Sequence, residues 1–224
     1  MSNERFAYKR HDLVWLSEAG RDYALRNMED CIPKLNDRDR DTLISSAPAL
    51  PAIVRRQEAP DDGFLCIGFS FPGIIEGVRL RISSRVPSDC IVMRKTPFDI
   101  AQCAKNNPDY EILQALMDAG NNFHVQTGCF GSTALELATG LPYRHKDSDL
   151  DIFLCHYGSR RDLEMFHARL LELEARFGIT IDAEIEYMEQ YGIKLKELFT
   201  AGKTVLGKGL YDVALFDKKV FFES

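Results

Sequence analysis

The sequence has no apolar run approaching the roughly 18 residues that a membrane-spanning helix requires. Its opening residues, Met1-Ser2-Asn3-Glu4-Arg5, are polar where a secretory leader would carry an apolar core. Both absences point to a cytoplasmic protein that does not enter a membrane. Six cysteines, Cys31, Cys66, Cys90, Cys103, Cys129 and Cys155, occur without a Cys-x-x-Cys pair and without zinc-like spacing to the five histidines, so they read as reduced, mostly buried thiols. A basic surplus is missing too: 28 Lys and Arg stand against 34 Asp and Glu, which argues against nucleic-acid binding through bulk positive charge. Low-complexity sequence is also absent, since 45% of the residues are hydrophobic and 28% charged, a balance that excludes disorder. A chain of 224 residues buries a core without disulfide staples.

The net charge of −6 is unevenly placed. Residues 1–108 hold 16 basic and 15 acidic side chains, whereas 109–224 hold 12 and 19. The acidity of the second half reads either as solvated helix faces or as a carboxylate cluster that needs a cation.

Turn-forming residues, among them Pro33, Pro48, Pro51, Pro60, Gly63, Pro72, Gly73 and Pro87, separate short apolar runs in the first hundred residues. Strands are expected at Asp12–Leu16, Ala52–Arg56, Gly63–Ser70, Arg79–Ser83 and Asp89–Arg94, with a weakly patterned helix at Arg38–Ile44. The polar stretch Lys105-Asn106-Asn107-Pro108 marks a domain boundary, giving a β-rich domain at 1–108 and a second domain at 109–224. Beyond it the expected order is helix (Tyr110–Ala119), strand (Phe123–Gly128), helix (Thr133–Thr139), strand (Leu150–Cys155), long helix (Arg160–Arg176), strand (Ile179–Met188), helix (Ile193–Phe199), then strands at Thr204–Leu206 and Tyr211–Phe216. Alternating helices and strands of this kind build an α/β (α+β) fold: a mixed sheet with flanking helices. The long helix, with Leu163, Phe166, Leu170, Leu173 and Phe177 on one face, reads as core.

The densest chemical signal is Gly128-Cys129-Phe130-Gly131-Ser132-Thr133-Ala134-Leu135, followed by Ser148-Asp149-Leu150-Asp151-Ile152-Phe153. With Ser132 opening the helix, Gly131 and Ser132 sit where backbone N–H groups lack partners and the helix dipole is positive, as a phosphate cradle requires. A glycine turn with a serine N-cap is the plainer alternative. Asp149 and Asp151, two apart in a strand, project from one face, where adjacent carboxylates repel unless a cation such as magnesium lies between them. A third carboxylate is available from Asp182 or Glu184, and the solvent face of an edge strand is the alternative for that pair.

Gly-Ser, then Asp-x-Asp on a strand, then an acidic residue on a later strand resembles the DNA polymerase beta-type nucleotidyltransferase superfamily. A closer resemblance covers most of the chain. It is carried by Arg10-His11-Asp12-Leu13-Val14-Trp15-Leu16, Arg55-Arg56, Ile67-Gly68 followed by Arg79-x-Arg81, Gly131-Ser132 with Ala134, Thr139-Gly140-Leu141-Pro142-Tyr143 and Ser148-Asp149-Leu150-Asp151. These are similar to the malonate decarboxylase holo-acyl-carrier-protein synthase family, also called phosphoribosyl-dephospho-coenzyme A transferase. The resemblance implies transfer of a phosphoribosyl-dephospho-coenzyme A group from its triphosphate donor to a serine of the apo acyl carrier subunit of malonate decarboxylase, with release of pyrophosphate. It implies two Mg2+ ions, or Mn2+, on Asp149, Asp151 and a third carboxylate, with Gly131 and Ser132 on the triphosphate. Asp182-Ala183-Glu184 departs from the Asp-Gly-Glu expected there, and Asp182 is favoured as the third ligand. The same core would also serve a nucleotidyltransferase with a different acceptor, or a degenerate carrier-binding module.

For such a donor, Lys203 and Lys208 are candidates to neutralise pyrophosphate, with exposed lysines on an edge strand as the alternative. Arg55, Arg56, Arg79 and Arg81 match phosphate oxygens as guanidinium forks, or are ordinary surface arginines. Arg144, His145 and Lys146 precede the carboxylates in a loop that either contacts the donor or is merely solvated. His11 and Asp12 either orient each other, or His11 merely packs against Trp15.

Overall fold

The structure is a computed structural model that describes residues 8–46, 50–58, 62–75, 77–156 and 158–219. It falls into two units, Met1–Arg94 and Lys95–Ser224. The division lies ahead of the polar stretch at 105–108 because the helix Pro97–Gln102 packs on a strand of the second unit, where a side chain at Gly128 would come 2.8 Å from the Pro97 backbone.

The first unit comprises β1 (Leu13–Leu16), α1 (Glu18–Arg26), β2 (Met28–Ile32), α2 (Asp37–Ser46), β3 (Ala52–Val54), β4 (Phe64–Ile75), β5 (Val78–Pro87) and β6 (Ile91–Lys95). Its six-stranded sheet runs β2-β5-β4-β3-β1-β6. Alternation along β5 buries Leu80, Ile82, Ser84 and Val86 on one face and leaves the arginines on the other. Instead of stopping at Pro72-Gly73, β4 continues past a register shift between Ser70 and Ile74. Asp12 is buried, its Oδ2 accepting the Lys9 N–H and Arg94 Nε–H at 2.7 Å each, so it braces the sheet.

The second unit comprises α3 (Pro97–Gln102), α4 (Glu111–Asn122), β7 (Val125–Cys129), α5 (Gly131–Thr139), β8 (Leu150–His156), α6 (Arg160–Phe177), β9 (Ile181–Tyr187), β10 (Tyr191–Lys194), α7 (Leu195–Leu198), β11 (Thr204–Lys208) and β12 (Val213–Asp217). Its mixed sheet runs β12-β11-β10-β9-β8-β7, with β8 and β9 parallel and their other neighbours antiparallel. α6 begins at a capping box between Ser159 and Asp162 and ends at Gly178, whose φ of 63° suits a left-handed C-cap. Leu163, Phe166, Leu170 and Leu173 form its buried face. Leu150, Ile152 and Leu154 of β8 join Ile181, Ala183 and Ile185 of β9 on the apolar side of the sheet. The opposite side carries the acidic residues.

Three expected features differ. The segment expected as a helix at Ile193–Phe199 is split, its first residues pairing as β10 against β9 and β11. Helix α1 and the polar edge strand β2 were not expected. Of the cysteines, Cys66, Cys129 and Cys155 are buried, Cys31 and Cys90 are partly exposed and Cys103 is exposed. No helix of the described residues is long and apolar enough to cross a membrane.

Candidate active site

The end of β7 delivers the glycine-serine turn onto β8. Cys129 pairs with Ile152, and the Phe130 N–H then donates to the Asp151 carbonyl at 3.1 Å, which sets Gly131 beside the Asp151 side chain. At φ 67°, Gly131 stands in the left-handed region, and a Cβ there would lie 2.0 Å from Asp151 Oδ2. Only glycine permits that approach. The helix starts one residue earlier than expected: Phe130 is the N-cap and Ser132 lies inside the first turn, so the serine does not cap the helix. The Phe130 side chain makes no cap hydrogen bond, and the positive dipole end of the helix lies beside Asp151.

Strand register gathers the acids. Asp151 is the direct partner of Asp182 across the parallel β8–β9 pair, Asp149 precedes Asp151 by two residues, and Glu184 lies two pairs along, opposite Phe153. All four project from the face opposite the apolar core. β9 is flanked on both sides by β8 and β10, so the edge-strand alternative for Asp182 and Glu184 does not apply. Glu184 is 5% exposed, while the Asp182 side chain is 27% exposed.

Burial and then the charges of Asp182, Asp149 and Glu184 push the Asp151 carboxyl up to about 6, against a weaker opposing pull from Lys194. Lys194, which no local sequence pattern singles out, donates from Nζ to Asp182 Oδ2 at 2.5 Å. The Asp182 hydrogen bond and charge hold its ammonium above the usual lysine value. Finding it requires the β9–β10 hairpin, in which Lys194 pairs with Glu184. Among the described residues no three His, Cys, Asp or Glu side chains converge as a finished metal site. The donor set nonetheless suits a hard divalent cation: carboxylate oxygens crowd one face, and their repulsion adds to burial in lifting Asp151.

The loop into β8 is fastened to α5. Glu136 Oε2 accepts the Tyr143 and Arg144 backbone N–H groups at 3.0 and 2.9 Å, and Oε1 accepts Arg144 Nε–H at 2.7 Å and the Tyr110 hydroxyl at 3.2 Å. The Arg144 guanidinium lies over the Tyr110 ring, 4.3 Å from its centre. Burial raises the Glu136 pKa, yet the hydrogen bonds and charge of Arg144 outweigh it and hold the carboxyl below its usual value. Arg144 is therefore a brace in a built loop, and Tyr143 is fully buried beneath it. Beyond it, Ser148 Oγ accepts the His145 N–H at 3.0 Å and closes a turn just before Asp149. Burial pushes the Cys129 thiol far up, which makes it a packing residue.

The remaining candidates are spread. Lys208 ends β11 opposite Gly192 and lies on the carboxylate side of the sheet, while Lys203 is exposed just before that strand. β11 is not an edge strand, since β12 covers it. Arg55, Arg56, Arg79 and Arg81 belong to the first unit. The Arg55 stem lies over Gly68, Arg79 Nη1 donates to the Phe71 and Pro72 carbonyls at 3.2 and 3.3 Å, and Arg81 is exposed.

Comparison with known proteins gives this geometry a context. Residues 99–219 match the model of the phosphoribosyl-dephospho-CoA transferase MdcG C-terminal domain, and residues 9–97 match that of its N-terminal domain. The chain belongs to the MdcG phosphoribosyl-dephospho-CoA transferase family. It is accordingly a transferase. A phosphoribosyl-dephospho-CoA transferase of Bradyrhizobium diazoefficiens is 25% identical over 95% of this chain and 91% of its own length. One of Xanthomonas euvesicatoria pv. vesicatoria is 26% identical over 95% of this chain and 96% of its own. No solved structure matches the chain. The MdcG C-terminal match begins within α3 and runs through β12, so it covers every strand and loop of the site.

Proposed function

We propose that this MdcG-family chain transfers phosphoribosyl-dephospho-CoA from its triphosphate donor to a serine of the apo acyl carrier subunit of malonate decarboxylase, in the cytoplasm. The observation that carries the reading is the approach of the uncapped Gly131 turn to Asp151, within a chain matched along both halves by the family. A phosphate cradle set against a row of carboxylates is what in-line phosphoryl transfer needs. The serine oxygen bonds to the innermost phosphorus, the bond from that phosphorus to the pyrophosphate oxygen breaks, and the serine proton leaves to a base.

Asp149, Asp151 and Asp182 would hold Mg2+ or Mn2+, as in nucleotidyltransferases of the DNA polymerase beta type. When bound, such ions stabilise charge on the attacking and departing oxygens. The Gly131 and Ser132 N–H groups and the Ser132 hydroxyl bind the terminal phosphate. Lys208, and Lys203 beside it in sequence, offset the charge of the departing pyrophosphate. In the first unit, Arg55, Arg79 and Arg81 are assigned to donor phosphates, and Arg79 also ties β5 to β4 through the Phe71 and Pro72 carbonyls.

The test is a mass measurement on the carrier subunit. Incubation with the protein, the triphosphate donor and Mg2+ is expected to add one phosphoribosyl-dephospho-CoA group to a serine and to release pyrophosphate. Transfer of an ordinary nucleotide instead, with none from the donor, would replace this reading with that of a nucleotidyltransferase acting on another acceptor.

A further inference from the structure

Lys194 is a cation that the fold itself places against the acidic face. Asp149, Asp182 and Glu184 all act on the Asp151 carboxyl there, and Asp151, Asp182 and Glu184 all act on the Lys194 ammonium. The fold delivers this side chain with little freedom. Lys194 is the last residue of β10, register-paired with Glu184, and also the N-cap of α7, with Ile193 and Leu195 buried on either side at 0% and 1% exposure. Its Nζ takes Asp182 Oδ2 at 2.5 Å, the carboxylate assigned to the divalent ion.

The pair is neither buried nor fully exposed. Side-chain exposures of 29% for Lys194 and 27% for Asp182 leave a path for water and ions, while enough of each is sheltered for the contact to outweigh an ordinary surface pair. Such a bond is stable without ligand and remains exchangeable.

We infer that Lys194 is a positioning residue that holds Asp182 in the metal-free protein and competes with the divalent cation for it. Loading is then an exchange in which the ammonium gives up Asp182 as the ion arrives. This rests on the metal reading of the site given above. The exchange requires the metal-free fold to lean on Lys194 and the metal-loaded fold to be hindered by it, two effects of opposite sign that a merely structural lysine would not produce.

Lys194→Met and Lys194→Arg test this in the full chain, with Mn2+ binding followed by electron paramagnetic resonance and melting followed in EDTA. Lys194→Met is expected to melt roughly 4 °C lower in EDTA and to bind Mn2+ about tenfold more tightly, because a competitor and a like charge are both removed. Lys194→Arg, which keeps the charge, should stay within about twofold of the parent in Mn2+ affinity, the size of effect expected when a pair is retained. Equal or weaker Mn2+ binding by Lys194→Met, with binding by the parent intact, would overturn the exchange alone. So would an Arg variant that behaves like the Met variant. Absence of Mn2+ binding in all three proteins would overturn the metal reading, and the exchange with it.

Discussion

Replacing Gly131 with alanine probes the contact on which the site is built, and the structure supplies its own control. At φ 67° an alanine costs about 1–2 kcal/mol in backbone strain. Gly178 has φ 63° at the end of α6, so Gly178→Ala incurs a similar strain, but nothing lies within 4 Å of its added Cβ. At Gly131 the added carbon would lie 2.0 Å from Asp151 Oδ2, so the carboxylate must rotate away from the cradle. Both variants should therefore melt lower by a comparable amount, roughly 2–8 °C for a chain of this size. Only Gly131→Ala should lose transfer, on the order of 10²–10³-fold, the usual effect of misplacing one preorganised charge-stabilising group. Thermal melts by circular dichroism and the mass of the carrier subunit read the two effects separately. Transfer by Gly131→Ala equal to that of Gly178→Ala would refute the claim that the close approach of turn and carboxylate matters.

Two further outcomes follow from neighbouring groups. Glu136→Ala leaves the Tyr143 and Arg144 N–H groups and the Arg144 guanidinium without their acceptor, and should cost about 1–3 kcal/mol in chemical denaturation. Because Glu136 is held below its ordinary 4.5 in the fold, mainly by Arg144 and against burial, its contribution is present above that value and is lost as pH falls through the lower folded value. The stability curves of the parent and Glu136→Gln should accordingly converge in acid, and a constant gap across pH would remove the Arg144 clamp from the account. Between the two acids of β9, Asp182→Asn should lower transfer on the order of 10²-fold while Glu184→Gln stays within about tenfold, as expected of a ligand and a neighbour; the reverse order would make Glu184 the third ligand.

Much of the second unit could be read directly from its residues. α6 announced itself through Ser159, the spacing of Leu163, Phe166, Leu170 and Leu173, and Gly178. The glycine-serine turn and the Asp-x-Asp strand were likewise legible, because turn chemistry and two-residue alternation are local. β10 was not. Ile193-Lys194-Leu195-Lys196-Glu197-Leu198 is made of strong helix formers, and its first two residues pair as strand only because a hairpin through Met188, Glu189 and Gln190 returns them to β9. Met188 and Glu189 adopt positive φ without being glycine, so no turn residue signals that hairpin. Lys194 was hidden for the same reason. In the first unit β2 carries exposed Glu29 and Asp30 instead of apolar alternation, and β4 passes through Pro72-Gly73, which ordinarily end a strand. The Glu136–Arg144 clamp joins a helix to a loop across eight residues, beyond the reach of any periodic pattern.

The central claim is that the acidic face of β8 and β9, with the Gly131 turn beside it, carries the transfer chemistry. Asp149→Asn is the decisive variant, since Asp149 is exposed just before β8 and the change leaves the core untouched. The measurement is the mass of the carrier subunit after incubation with the triphosphate donor and Mg2+, alongside carrier binding by the same variant. Carrier binding is expected to be retained and no prosthetic group to be added. Unchanged turnover by Asp149→Asn would contradict it.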